Sequence, residues 1–384
     1  MIDKELKGGT GMKAIVNGVL VLPDQLVTGQ ALLYSRKIEG IVPVEQVPAE
    51  ATVIDAGGGY VLPGLIDLHI HGYAGVDATT ATAEELERMG KALLKEGVTG
   101  FLATTMTVAA ATLNAAWQAC RTAMERCPNL LGVNAEGPFV SPAKCGAQDP
   151  THAIPPDPAL MTPYADVIRL ATIAPEWPGA ADAAGILTAA GIKVAVGHTA
   201  ADYDTVMRCI DYGATHGTHL FNAMSGLSHR APGAVGAVLN SAVTCELITD
   251  NHHVHPALYE PVWKVKGRAL CLITDCLAAG GLPAGEYTLG GAPVVSDGTL
   301  CRRKDGTLAG SAGTLLNNLK NFWEATHIPL WECVNCATAN PAHILGLATR
   351  KGTLKTGKDA DLVVITKDFS VTATILGGET VYQA

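Results

Sequence analysis

Residues 65–105 read LIDLHIHGYAGVDATTATAEELERMGKALLKEGVTGFLATT, and the reading of this stretch decides the fold. LIDLH at 65–69 and VTGFLATT at 98–105 are short apolar runs of the kind that form buried parallel strands. Between them, TAEELERMGKALLKEG carries a Thr to cap a helix, acidic residues in its first turn and a Gly to stop it. The unit is strand, helix, strand. Six further strand candidates follow at 130–136, 167–174, 192–198, 214–220, 243–250 and 269–275, with helical stretches between most of them. Eight such units over roughly 280 residues predict an α/β fold built on a (β/α)8 TIM barrel, spanning residues 63–345.

The flanks read differently. Residues 13–62 and 346–384 hold short strand-like runs broken by Gly, Pro and Asp. Neither flank has enough strands to bury a core alone, so the two are expected to pair as one small β-sandwich domain built from both chain ends. Residues 1–11 read as a polar extension. WECVNCATANPAHIL (331–345) looks helical up to its Asn-Pro, which makes Cys333 and Cys336 helix-packing thiols rather than a redox pair.

Composition narrows the function. Of 384 residues, 48% are hydrophobic and 16% charged, enough apolar content for a sizeable core. The net charge of -9, with no Lys/Arg block, argues against a nucleic-acid or anionic-membrane partner. No run of about 18 uncharged apolar residues marks a membrane span. The amino-terminal segment lacks the apolar centre of a secretory signal, and the ten cysteines then read as reduced thiols of a cytoplasmic protein.

The polar residues fall at the ends of the predicted strands. His69 and His71 close the first, Glu136 the third, His198 the fifth, His219 the sixth and Asp275 the eighth. In a barrel these ends open on one face, where the active sites of such enzymes lie. Residues i and i+2 of a strand point to one side, so His69 and His71 can aim at the same ion. His, Glu and Asp suit zinc or a similar divalent cation. Glu136 can bridge two ions, and Asp275 can exchange a proton with water. Together these groups supply what hydrolysis of an unactivated amide needs. Arg230, in the loop after the sixth strand, reads equally as a phosphate contact or as a surface arginine.

The motifs PGLIDLHIHG (63–72), NAEGPF (134–139), VGHTAA (196–201), THLFNAM (218–224), APGAVGA (231–237) and LITDCLAAGGLPAGEY (272–287) resemble the amidohydrolase superfamily. Within it they resemble the deacetylases of N-acetylated amino sugar phosphates. The resemblance implies Glu136, His198 and His219 as metal ligands, with His69 and His71 able to hold a second ion and Asp275 as the catalytic acid/base. It implies one or two divalent ions per subunit, zinc first, then iron, manganese or cobalt. Gln148, Asn222, Ala223, Arg230 and His253 match positions that bind the substrate, Gln148 standing where some relatives carry His. Asn251 replaces a more usual small residue. Relatives draw the Arg from a neighbouring subunit, which implies a homodimer. Glu136 takes the place of the carboxylated Lys of other superfamily members, which argues against a dihydroorotase or hydantoinase. The implied substrate is the small amino sugar phosphate N-acetylglucosamine 6-phosphate. Its galacto epimer and a non-catalytic scaffold are the alternatives.

Overall fold

The computed structural model describes residues 11–384. The reading of 1–11 as a polar extension therefore lies, save at its last residue, outside the described residues. Eight parallel strands form the barrel: β1 Leu65–Ile70, β2 Val98–Thr105, β3 Leu130–Ala135, β4 Ile168–Ile173, β5 Lys193–Val196, β6 Ala214–Gly217, β7 Thr244–Ile248 and β8 Leu270–Ile273. They neighbour one another in chain order. The ring closes just beyond β8, where Cys276 bridges Ile70 in parallel and the Asp275 N–H donates to the His69 carbonyl at 2.9 Å. β1, β2 and β8 are buried at every position, which is why they read as unbroken apolar runs.

The first crossover helix, α1 (Ala83–Lys95), starts as its sequence predicts. The Glu85 N–H donates to Thr82 Oγ1 at 3.3 Å and the Thr82 N–H to Glu85 Oε2 at 3.0 Å, a reciprocal capping box. Gly97 then takes φ +78, a left-handed turn that ends the helix at little cost only for glycine. The β3–β4 connection departs from the regular pattern, with only a one-turn helix, Pro158–Met161, among short 3-10 turns.

A four-stranded antiparallel meander follows β8: β9 Gly285–Leu289, β10 Ala292–Ser296, β11 Leu300–Arg302 and β12 Leu308–Ser311. The sequence reading did not anticipate it. Its apolar side, with Leu289, Val294, Cys301 and Ala309, packs on Leu277 and Met106.

The chain ends do pair. Strand Tyr60–Pro63 runs antiparallel to Leu362–Ile365, with Leu62 opposite Val363, inside a six-stranded sheet. Ile15, Leu32 and Tyr34 of a second, four-stranded sheet share one core with Val61, Leu362 and Ile375. By its contacts the described chain divides into two compact units. One holds the residues up to Leu65 with Leu94–Thr99 and Pro329–Ala384, and the other Ile66–Leu93 with Gly100–Ile328. Residues 329–345, grouped with the barrel by sequence, thus fall in the terminal unit. That segment forms two helices, Leu330–Ala337 and Ala339–Ile344, not one running up to the Asn-Pro. The break is at Thr338, and Pro341 sits in the first turn of the second helix, where its missing N–H is no loss. Cys333 and Cys336 are buried, and none of the ten cysteines is in a disulfide.

Candidate metal centre

The strands that lead into Glu136, His198, His219 and Asp275 end earlier than the sequence suggests. Glu136 lies one residue beyond β3, and His198, His219 and Asp275 each lie two beyond β5, β6 and β8. His198, His219 and Asp275 take φ values of +46, +27 and +50. Non-glycine residues adopt this left-handed region only when their surroundings enforce it, and such strain concentrates at functional sites. Here the backbone leaves the ladder and turns each side chain back over the barrel mouth.

All six residues converge. Glu136 is the hub: Oε1 lies 2.9 Å from His198 Nε2, 2.7 Å from His219 Nε2 and 3.4 Å from His69 Nε2, and Oε2 lies 3.2 Å from His71 Nε2. Asp275 Oδ1 lies 3.2 Å from His71 Nε2 and 3.6 Å from His69 Nε2. His198 Nε2 faces His219 Nε2 at 3.1 Å, and His69 Nε2 faces His71 Nε2 at 3.3 Å. Four imidazole nitrogens aimed at one another and at one carboxylate are the donor set of a divalent cation. Two trios, His69/His71/Asp275 and His69/Glu136/His219, each bring their ligand atoms within 4.8 Å of one another. The residues present thus fit the metal on which this chemistry depends.

The electrostatics agree. Burial alone would raise the Glu136 pKa, but His198 and His69 outweigh it and hold it well below the usual carboxylate range. Burial would raise that of Asp275 too, and His71 and His69 reverse the sign, so it stays ionised. For His71 burial works downward, and Asp275 and Glu136 overcome it to set the imidazole at about 9.

Two buried carboxylates escaped the sequence reading. Glu246, in the middle of β7, has no exposure and lies 3.0 Å from His69 Nδ1. A charged residue inside the apolar run VTCELITD was the signal that could have found it. Asp67 of β1 accepts the Thr274 hydroxyl at 2.6 Å and the His69 N–H at 3.1 Å, tying β1 to the end of β8. Burial pushes its carboxyl up to about 7.

Above the cluster lies a cleft lined by His71, Glu136, His198, His219 and Asp275, and by Gln148, Asn222, Ala223 and His253. Met106, Leu277, Leu289 and Leu308 supply its apolar wall, the last two from the meander. Gln148 donates to Glu136 Oε2 at 2.7 Å and accepts the Thr107 N–H at 2.8 Å, so it faces the cluster directly. His253 Nδ1 lies 2.6 Å from Asp250 Oδ2, a contact that raises its pKa against the opposing effect of burial. Asn251 takes φ +67, a left-handed conformation Asn tolerates, and its N–H donates to the Tyr259 hydroxyl at 2.9 Å. His69 lies wholly buried beneath the cleft, and Arg230 alone among the substrate-binding candidates is not in it. It is exposed, on the loop before helix Gly233–Asn240.

Residues 60–381 match the amidohydrolase family. The chain belongs to that family. It is 37% identical to N-acetylglucosamine-6-phosphate deacetylase of Bacillus subtilis (strain 168), over 98% of this chain and 96% of that protein. It is 34% identical to N-acetylgalactosamine-6-phosphate deacetylase of Escherichia coli O157:H7, over 86% of this chain and 89% of that protein. The crystal structure of N-acetylglucosamine-6-phosphate deacetylase from Pasteurella multocida superposes with a TM-score of 0.94 at 34% identity, covering 97% of this chain and all of that one. The amidohydrolase fold, barrel and terminal sandwich together, is therefore that of this chain.

Proposed function

We propose that this protein removes the acetyl group of N-acetylglucosamine 6-phosphate, giving glucosamine 6-phosphate and acetate. One observation carries the reading: five metal-type ligands converge beneath Asp275, an acid whose side chain keeps 13% exposure and opens onto the cleft. Glu136, His198 and His219 would hold one divalent cation, and His69, His71 and the shared Glu136 a second, with zinc favoured and iron, manganese or cobalt as substitutes. A cation bound there lowers the pKa of water and polarises a carbonyl.

The chain's own groups do the rest. Asp275, held ionised, takes the proton of the attacking water and returns it to the amine nitrogen as the C–N bond breaks. Gln148, Asn222 and Ala223 orient the sugar, and His253, kept cationic by Asp250, faces its phosphate. Arg230 reaches the phosphate of a partner subunit's site in a homodimer, which explains its distance from its own cleft. Ten cysteines outside any disulfide suit a reducing, cytoplasmic setting.

The galacto epimer is a second reading, favoured by the 34% identity to an enzyme named for that sugar. Acetate release from metal-reconstituted protein tests both. The expected order is N-acetylglucosamine 6-phosphate, then its galacto epimer, with unphosphorylated N-acetylglucosamine far behind. A reversed order of epimers selects the second reading, and equal rates with and without phosphate refute both.

A further inference from the structure

We infer that Glu246 is a positioning residue for the His69/His71 half of the metal centre, fixing which nitrogen of His69 is offered to a cation. The inference rests on the two-cation reading above. Glu246 stands on β7, wholly buried, and no step of the proposed reaction uses it. Its Oε2 lies 3.0 Å from His69 Nδ1 and accepts the His219 N–H at 3.0 Å. Its Oε1 lies 3.2 Å from His216 Nε2, and His216 Nδ1 lies 2.6 Å from Thr244 Oγ1. Half-buried Thr244 and the buried His216, Glu246 and His69 therefore follow one another from the start of β7 to the cluster.

A carboxylate at Nδ1 holds the proton on that nitrogen. Nε2 is left with its lone pair, and Nε2 is the atom that faces His71, Glu136 and Asp275. The other imidazoles of the cluster have no such partner. Among the described residues His198 Nδ1 meets the Lys144 carbonyl, at 2.8 Å, and His71 and His219 Nδ1 have no hydrogen-bond partner. The one carboxylate-backed imidazole thus belongs to the His69/His71 pair. Such backing raises ligand basicity as well as fixing the ring, and its loss costs about 10- to 100-fold in metal affinity.

The test is a Zn²⁺ titration of metal-stripped wild type, Glu246→Gln and Glu246→Ala. Wild type is expected to take two equivalents. In Glu246→Gln, which keeps an acceptor for the His219 N–H, the weaker equivalent should bind about 10-fold less tightly and the tighter one change little. Glu246→Ala should lie further along the same order. A second equivalent of unchanged affinity in both variants, or a parallel loss of both equivalents, overturns the inference and leaves the two-cation reading intact. A wild type that saturates at one equivalent overturns that reading, and the inference with it. A measurement on unmutated protein guards against variants that do not fold. In the Zn²⁺-loaded, ¹⁵N-labelled enzyme, His69 should carry its proton on Nδ1, and a proton on Nε2 overturns the assignment.

Discussion

Replacing Asp275 by Asn changes one oxygen for an amide nitrogen and leaves the shape of the site. The backbone tolerates it. Asp275 sits at φ +50, and Asn is among the few residues that occupy this region readily. The Asp275 N–H still donates to the His69 carbonyl, and the Asp275 carbonyl still accepts the Ser311 N–H at 2.8 Å. Ala at the same φ would add strain to the chemical loss, so Asn is the cleaner probe. What disappears is a proton acceptor beside the barrel mouth. A positioned acid/base contributes about 10² to 10⁴ in rate. At about 1.36 kcal/mol per decade, that is about 2.7 to 5.4 kcal/mol of transition-state stabilisation. The proposed ligands Glu136, His198 and His219 are untouched, so the metal assigned to them should remain. The assay is acetate release at saturating substrate, with elemental analysis and a thermal melt on the same sample. Turnover within a few-fold of wild type removes Asp275 from the chemistry. A loss of activity that tracks loss of metal makes it a ligand rather than an acid/base.

Three further outcomes are expected. Arg230→Ala should raise KM for the phosphorylated sugar far more than for the unphosphorylated one, and mixing it with Asp275→Asn protein should restore activity if subunits exchange; an equal effect on both substrates removes Arg230 from phosphate binding. The double substitution His69→Gln, His71→Asn should bind one Zn²⁺ equivalent where wild type binds two, read by elemental analysis, and identical stoichiometry would leave the pair without a metal role. His253 is kept cationic above the ordinary histidine range by Asp250, with a smaller push from Asp275 and opposition from burial and Arg302. KM for the phosphorylated substrate should therefore hold steady through about pH 6.5 and rise only at more alkaline pH. Asp250→Asn should bring that rise to lower pH, and an unmoved profile would detach His253 from the phosphate.

The barrel was legible because parallel strands covered on both faces must be apolar throughout, and runs such as VTGFLATT show it without ambiguity. Each of the eight strands lies where the apolar runs place it, with ends differing by no more than three residues. The largest differences fall at the site itself. Positive φ at His198, His219 and Asp275 ends the ladder early, and no residue-type preference announces a left-handed His. The cluster could be read because six ligand-type residues recur at equivalent places. Glu246 was marked only by its charge inside an apolar run, because its partner His69 lies on β1, on the far side of β8, and the two meet only when the ring closes. The meander of β9–β12 was missed for a related reason. Its strands are three to five residues long and half exposed, so they lack both the length and the unbroken apolar character that marked the barrel.

The seam between β8 and β1 has a consequence for the order in which the molecule comes together. Asp275 and His69 are 206 positions apart in sequence, yet the N–H of one meets the carbonyl of the other. Contacts this distant carry a loop-closure cost that is met only after intervening structure has formed. Glu136, His198 and His219 follow β3, β5 and β6, so these three can stand together once six strands are laid down. Asp275 arrives only with the last strand. On the roles proposed above, the metal ligands therefore assemble before the acid/base, and activity requires the barrel to shut.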